Sequence, residues 1–233
     1  DFVRKLIEED RIPDDVTISV LTQAREDLID RTAQSLIGAH RASIHMYNAT
    51  AELFRRVVFG IDEAQCIALA TRGTELVMKY AEQNLGDVEF GYQYSPEIFT
   101  QTPTDYAVEV CNAVMDVWQP SDGREIILNL PATVERSTPN TYADQIEYFA
   151  RHVRNRDHVA ISLHPHNDRG TAIAAAELGY LAGALWTLTH VDRLGAAPVF
   201  IAGESAGGHL ALMLLAALRG AGLPQPALAV GLQ

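Results

Sequence analysis

The chain has 233 residues, a formal net charge of −12 at pH 7, 48% hydrophobic residues and 21% charged residues. This length suits one large α/β domain or two smaller ones, and the composition is that of an ordinary globular protein. The acidic balance argues against a nucleic acid or an anionic membrane surface as a partner, because both select clustered Lys and Arg. The two cysteines form no C-x-x-C pair and no signal peptide is visible, so the sequence predicts reduced core thiols in a cytoplasmic protein.

Short apolar runs alternate with longer helical patterns along most of the chain. Runs rich in β-branched and aromatic residues predict five strands, at residues 16–21, 42–48, 88–94, 125–130 and 158–164. Helices are predicted after them, at about residues 25–37, 62–84, 105–117, 142–153 and 171–182. Strands that alternate with helices build βαβ units, so the predicted fold class is α/β with a parallel sheet or barrel. The nearly continuous apolar character of the strands predicts that both faces of the sheet are covered.

Polar side chains fall at or just past the carboxyl ends of these strands. In a (β/α)8 barrel that end of the strands builds the active site. The repetition over successive strands therefore favours a barrel-type catalytic face. The residues concerned are His45, Tyr47, Ser95, Glu97, Asn129, Thr133, His164, His166 and Asp168.

His164 and His166 are the strongest candidates for a metal site. One residue separates them at the end of a predicted strand, and side chains at positions i and i+2 of a strand point to one face. Two imidazoles that reach the same volume can bind one ion, and Pro165 fits a strand end because it lacks a ladder donor. Asn167 and Asp168 are predicted to accept hydrogen bonds from the ring N–H groups. The alternative interpretation is a pair of polar loop residues without a metal.

Several segments have a recognisable order and spacing. They are RIPDDVTISVLTQ (11–23), HMYNAT (45–50), YSPEIFT (94–100), CNAVMDVW (111–118), NLPATVE (129–135), TPNTYADQIE (138–147) and SLHPHNDRGTAIAAAELG (162–179). The last of these closely resembles the metal-binding strand of the 2-isopropylmalate synthase family. The other segments resemble further parts of the same family, so the resemblance covers most of the chain.

This resemblance implies a fold, a reaction and a set of small-molecule partners. The fold is a TIM-type barrel, of which residues 1–184 would form about strands 3 to 7. The reaction is a Claisen-type condensation of acetyl-CoA, the co-substrate, with 2-oxoisovalerate, which gives 2-isopropylmalate in leucine biosynthesis. A divalent metal, Zn²⁺ or Mg²⁺, would polarise the keto-acid carbonyl as a Lewis acid. The family also implies a homodimer, with no nucleic-acid or membrane partner.

The same resemblance assigns roles to residues at the strand ends. His164 and His166 would bind the metal beside the carbonyl oxygen on which negative charge develops. Glu97 would be a catalytic residue that orients substrate or handles protons, with a solvated loop carboxylate as the alternative. The positions that would line the keto-acid and acetyl pocket are His45, Ser95, Asn129 and Thr133.

Two motifs of the family have no match in the chain. The D-G-x-Q-type motif of the first strand supplies an Asp metal ligand and an Arg, and nothing in residues 1–15 matches it. The G-N-G-E-R motif of the eighth strand is expected just after Ala184 and is also absent. Residues 1–184 are therefore predicted to be an incomplete barrel without strands 1, 2 and 8. Whether the chain is an active enzyme stays open at this point.

Residues 185–233 have a different pattern. GESAG at 203–207 fits G-x-S-x-G, after the run VFIA and before a helical pattern, which is the context of a nucleophile elbow. The segment resembles the hormone-sensitive-lipase-like branch of α/β-hydrolases, with Ser205 as the catalytic nucleophile. No Asp or Glu follows Ser205, although the triad acid follows the Ser in this fold. We expect a short strand–elbow–helix–strand piece of α/β-hydrolase type, packed on the open edge beside the fifth strand.

Three hypotheses on function follow from the sequence. The first is an acyltransferase by descent, with the histidine pair as metal ligands. The second is an ester hydrolase of carboxylesterase or lipase type that acts through Ser205. The third is a non-catalytic chimeric fragment, in which two unrelated families meet near residues 184–185.

Overall fold

The structure, a computed structural model, describes residues 2–86, 88–189, 200–204 and 228–232, with side chains as far as residue 183. Helices and strands alternate along most of this length. In chain order the elements are α1 (Phe2–Glu8), β1 (Ile18–Gln23), α2 (Glu26–Ser35), β2 (Arg41–Ala49), α3 (Glu63–Asn84), β3 (Glu89–Glu97), α4 (Thr104–Trp118), β4 (Ile126–Ala132), α5 (Pro139–His152), β5 (Val159–Pro165), α6 (Ala172–Thr189), β6 (Phe200–Glu204) and β7 (Leu228–Leu232).

Strands β1 to β5 form one sheet in the order β1-β2-β3-β4-β5. The first three pairs are parallel, with Ile18 opposite Ala42 and His45 opposite Gln93. Each strand lies beside its neighbour in sequence, as in a barrel-type sheet. The predicted parallel α/β sheet is therefore confirmed, and it is consistent with part of a TIM-type barrel. Within the part of the chain described, β1 and β5 are edge strands.

Helix α3 begins where the sequence predicts and packs closely on the sheet. Asp62 caps it, because its carboxylate accepts from the Gln65 N–H at 2.8 Å while the Gln65 side chain accepts from the Asp62 N–H at 3.0 Å. Gly73 faces the sheet in the middle of the helix. A Cβ added there would lie 2.5 Å from Sδ of Met46 and 3.1 Å from Cβ of Ala24. The approach of helix to strand therefore depends on the missing side chain.

One face of the sheet carries the core. Side chains alternate between faces along a strand, and those of one parity are buried in the strands β2, β3 and β4. They are Ala42, Ile44, Met46, Tyr92, Tyr94, Ile126 and Leu128. The other face is more open, since Ser19, Leu21 and Gln23 of β1 are exposed. The prediction that both faces are covered is thus wrong for β1.

The chain divides into two compact units. The first comprises residues 1–131 and 153–162, and the second comprises residues 132–152 and 163–233. In the second unit α5 packs against α6. Because α6 runs on to Thr189, the domain boundary predicted between residues 184 and 185 lies inside a helix, and the division at that point stays a prediction.

Strands β6 and β7 are parallel and form a separate two-stranded sheet. Neither belongs to the five-stranded sheet, so the expectation that the strand near residues 199–203 pairs beside β5 is wrong for the strands described. The α/β-hydrolase type of this piece stays a prediction. No helix in the described ranges combines the length and the apolar character that crossing a membrane requires.

Candidate active site

The two predicted metal ligands lie side by side at the end of β5. The ring centroids of His164 and His166 are 5.0 Å apart, with 49° between the ring planes. Two imidazoles on one tetrahedral zinc ion place their centroids about 5 Å apart, because each Zn–N bond is about 2 Å long and the ring centre lies about 1 Å further away. The alternation of the strand brings both rings to one volume, at a spacing that suits a shared ion.

Backbone contacts and burial define the surroundings of the pair. The N–H of His164 donates to Oη of Tyr142, a buried residue of α5, at 3.2 Å. The N–H of His166 donates to the carbonyl of Ala132 at 3.4 Å. Although His164 keeps exposed surface, partial burial lowers its pKa, and the nearby charge of His166 lowers that pKa further. A lowered pKa keeps the imidazole neutral near pH 7, which is the form that binds metals.

The two histidines are a suitable type of ligand for a metal ion, but two protein ligands are too few for a complete site. Neutral imidazole is a good ligand for zinc, yet zinc sites in proteins use three or four protein ligands. Among the residues that the structure describes, no group of three or more His, Cys, Asp or Glu side chains is arranged to hold a metal ion. Any further protein ligand would have to come from outside them.

Glu135, in the loop after β4, accepts hydrogen bonds from the loop that follows the histidine pair. Its carboxylate accepts hydrogen bonds from the Thr171 N–H at 2.9 Å, from the Thr171 hydroxyl and from the Arg169 N–H. The bond from the Thr171 hydroxyl is the main reason why the pKa of Glu135 lies below its usual value. Thr133, a predicted substrate-binding residue, is half-buried in the bend directly after β4. Glu135 was not predicted from the sequence. Its position two residues beyond Thr133, a predicted site residue, could have indicated it.

Asn167 and Asp168 have other partners than the sequence predicts. Oδ1 of Asn167 accepts from the Ala172 N–H at 3.1 Å, at the first residue of α6. The carboxylate of Asp168 accepts from the N–H of Glu135 at 2.9 Å. Both side chains therefore shape the loop through backbone contacts, whereas the sequence interpretation had them accept from the imidazole rings.

Glu97, the catalytic candidate, ends β3 at a strained turn. The next residue, Ile98, is buried and has a φ of 61°, which is unusual for a β-branched residue. The carbonyl of Glu97 accepts from the N–H and the hydroxyl of Thr50 at 3.1 and 3.2 Å, and the Thr102 hydroxyl donates to the Ile98 carbonyl at 3.0 Å. Such strain costs about 1–3 kcal/mol and clusters at functional sites. Sequence reasoning missed both threonines.

The three pocket candidates on β2, β3 and β4 form one hydrogen-bonded chain that extends to β5. Nε2 of His45 lies 2.7 Å from Oγ of Ser95. Ser95 donates to Oδ1 of Asn129 at 2.9 Å, and Nδ2 of Asn129 donates to Oγ of Ser162 at 2.8 Å. Each strand contributes one residue, and Ser95 and Asn129 are buried. The sequence interpretation missed Ser162, although it precedes His164 by two residues on the same strand.

Ser205, the predicted nucleophile, lies outside the described residues. Strand β6 ends at Glu204, immediately before it. Its role therefore stays a prediction.

Fold and site together define a class of protein. A parallel α/β sheet with polar side chains at the carboxyl ends of its strands is the arrangement of barrel-type enzymes. The two histidines on β5 lie among these strand-end side chains, with ring centroids 5.0 Å apart.

The chain belongs to the HMGL-like family, whose family model matches residues 1–228. Curated relatives named 2-isopropylmalate synthase are similar to it: that of Thermobifida fusca is 66% identical over 185 residues, that of Streptosporangium roseum 64% over 184, and that of Rhodospirillum rubrum 60% over 184. Each match covers 79% of this chain and 32% or 33% of the relative. The chain thus spans about a third of the length of these relatives.

Proposed function

We propose that this chain carries part of the active site of a transferase that condenses acetyl-CoA with 2-oxoisovalerate to form 2-isopropylmalate. The observation that carries the proposal is the histidine pair at the end of β5, with ring centroids 5.0 Å apart. Membership of the HMGL-like family and the names of relatives at 60–66% identity support the acetyl-CoA condensation and a role in leucine biosynthesis.

His164 and His166 hold the divalent metal in this proposal. When bound, the metal supplies Lewis-acid polarisation of the keto-acid carbonyl. Imidazole favours Zn²⁺ over Mg²⁺, which prefers carboxylate and water oxygens. The lowered pKa of His164 supports this role, because the ring is then mostly unprotonated near neutral pH and its nitrogen can bind the metal.

The substrates are held by residues at the ends of the neighbouring strands. Ser95 and Asn129 offer a hydroxyl and an amide, and both are buried, so their hydrogen bonds to a bound keto-acid would be shielded from water. His45 and Thr133 supply further polar groups in the same proposal.

Glu97 is the proposed catalytic carboxylate. The condensation removes a proton from the methyl group of acetyl-CoA, and a positioned carboxylate is one of the side chains that can accept it. The strained turn at Ile98 fixes the backbone beside Glu97, which is the kind of support that a positioned base needs.

Metal binding is the activity to test first, because two histidines are an incomplete zinc site. Calorimetric titration with Zn²⁺ compares the wild type with His164→Ala and His166→Ala. We expect each variant to weaken binding by more than about tenfold, since even residues that only orient metal ligands contribute 10–100-fold. His40→Ala is the matched control, because that histidine is exposed and pairs with Asp14 at 3.2 Å. Equal affinities in all four proteins would mean that neither His164 nor His166 binds the metal.

A second candidate function is ester hydrolysis through Ser205. The observation that favours it is the parallel pairing of β6 with β7, since parallel strands need a crossover connection such as the strand–turn–helix of an elbow. Hydrolysis of a short-chain p-nitrophenyl ester, lost in Ser205→Ala, would support this function. Equal rates in wild type and Ser205→Ala would exclude it.

A further inference from the structure

We infer that the first compact unit has a second binding site, a cavity that takes a flat organic anion, at the end of the sheet opposite the polar strand ends. The cavity has a volume of about 550 Å³, which is within the range of small-molecule sites in proteins. Met78, Glu82, Leu85, Phe90, Trp118 and Arg124 are among the residues that line it, and all of them belong to the first compact unit. The site does not depend on the proposed condensation reaction.

The cavity lies at the amino ends of β3 and β4. Phe90 is the second residue of β3, and Arg124 precedes β4 by two residues. Ser95 and Glu97, in contrast, lie at the carboxyl end of β3. At about 3.3 Å per residue, Phe90 and Ser95 are about 16 Å apart along the strand. A small ligand in this cavity therefore does not contact the proposed substrate residues of β3.

Trp118 forms an aromatic part of the cavity wall, and its orientation is fixed. Its Nε1–H donates to the carbonyl of Arg124 at 3.2 Å, and its ring packs against Tyr92 with centroids 4.9 Å apart. Phe90 approaches the same ring edge-on, with centroids 6.1 Å apart and 67° between the planes. A flat apolar ligand therefore meets aromatic surface that is already in place, so that little conformational freedom is lost on binding.

Arg124 supplies the positive charge at this wall. Two backbone hydrogen bonds between Ser121 and Arg124, of 3.3 and 2.9 Å, close the turn before β4. The guanidinium lies over the Trp118 ring, 4.3 Å from its centroid. It is exposed, and among the residues that the structure describes it is paired with no carboxylate. Its planar fork of N–H donors matches the two oxygens of a carboxylate.

Glu82 brings a negative charge to the same cavity. It is exposed, so water and salt screen its repulsion of an anion. Arg124 can donate hydrogen bonds directly to the anion, and such charge-assisted bonds outweigh a screened repulsion. Glu125, the next carboxylate along the chain, accepts from the Gly123 N–H at 3.0 Å. The charge preference of the cavity therefore follows Arg124.

The test is a ¹H–¹⁵N titration that follows the indole N–H of Trp118. The chain has two tryptophans, so the Trp186→Phe background leaves a single indole signal. Three ligands share one ring system and differ in charge: 2-naphthoate, 2-naphthalenemethanol and protonated 2-naphthylmethylamine. We expect 2-naphthoate to shift the signal and to bind about tenfold more tightly than the alcohol, because hydrogen bonds to a charged group are the stronger ones. The amine should bind most weakly.

Substitutions of the two charged residues should have effects of opposite sign. Arg124→Gln should weaken 2-naphthoate binding about tenfold and remove the preference over the alcohol, whereas Glu82→Gln should strengthen it about twofold. Arg124→Lys keeps the charge without the fork and should fall between Arg124→Gln and the wild type. Arg72→Gln is the matched control and should leave the affinity unchanged, because it removes a positive charge elsewhere on α3, where Arg72 pairs with Glu75 at 3.1 Å.

Binding of the neutral alcohol shows whether a variant has kept its cavity. If Arg124→Gln lost the alcohol as well, Arg124→Lys would decide in its place. An indole signal that 2-naphthoate leaves unshifted at its solubility limit, equal affinities for the three ligands, or tightest binding of the amine would each overturn the inference. So would an unchanged 2-naphthoate affinity in the Arg124 variants. Zn²⁺ titration tests the proposed function separately, because neither measurement depends on the other.

Discussion

Glu135 shows how one buried carboxylate holds the loop that follows the histidine pair. Its hydrogen bonds with Thr171 and Arg169 place its pKa below the usual value. The unfolded carboxyl, with a pKa of about 4.3, then binds its proton at a higher pH than the folded one. The stabilisation by Glu135 is therefore complete above the unfolded pKa and is lost as the pH falls through the folded pKa.

Glu135→Gln should consequently be less stable than the wild type at neutral pH, and the difference should shrink as the pH falls below the unfolded pKa of about 4.3 and through the folded pKa. Thermal melts followed by circular dichroism across this range measure it. Glu109→Gln, at an exposed position of α4, provides the control and should leave the pH profile unchanged. A Glu135→Gln profile that runs parallel to that of the wild type would contradict the assignment.

At the residue scale the sequence predicts the ends of strands better than the contacts that support them. His164 and His166 could be found because strand alternation is local in sequence and puts them on one face. Ser162, Glu135 and Thr50 could not be assigned roles, because their partners lie 33, 36 and 47 residues away. Such contacts exist only once the strands have assembled.

Helix α3 packs on β2 through Gly73, and this contact predicts how a substitution at Gly73 changes the free energy of unfolding. Helix propensity alone would favour Gly73→Ala by about 1 kcal/mol. A methyl group there would meet the side chain of Met46, which is fully buried and would have to shift within the core. Since overpacking costs about 1–3 kcal/mol, we expect Gly73→Ala to lower the free energy of unfolding by about 1–2 kcal/mol in urea denaturation.

Gly183→Ala is the matched helical control for that experiment. A Cβ at Gly183 would lie 4.0 Å from Cγ2 of Ile146, its nearest neighbour among the described residues, so it displaces none of these. Helix propensity should then dominate, with a gain of up to about 1 kcal/mol. If Gly73→Ala also proved stabilising, the close packing of α3 on β2 would not be a constraint.

Helices and strands could be predicted where the residues that determine them lie close together in the sequence. The predicted start of α3 near residue 62 is confirmed, and Asp62 and Gln65, which form its capping box, lie only three residues apart in the sequence. The exposed face of β1 was predicted wrongly, because Leu21 is apolar whether or not anything covers it. Leu21 is 59% exposed, and coverage is a property of neighbouring elements that an apolar run cannot reveal.

For the whole molecule, the division into two compact units raises the question of whether they unfold together. Each unit contains one of the two tryptophans, Trp118 in the first and Trp186 in the second. Trp118 packs against Tyr92, with ring centroids 4.9 Å apart, so its fluorescence reports the core of the first unit. Single-tryptophan variants, Trp186→Phe and Trp118→Phe, follow the two units separately during urea denaturation.

We expect the first unit to unfold at the higher urea concentration. Most of the largest fully buried side chains in the described residues belong to it, whereas Tyr142 and Phe149 are those in the second unit. Buried apolar area sets the main favourable term in folding, so the two fluorescence transitions should not coincide. Far-UV circular dichroism of both variants against the wild type shows whether either substitution has itself moved a transition. Coincident transitions would instead mean that the two units unfold as one cooperative domain.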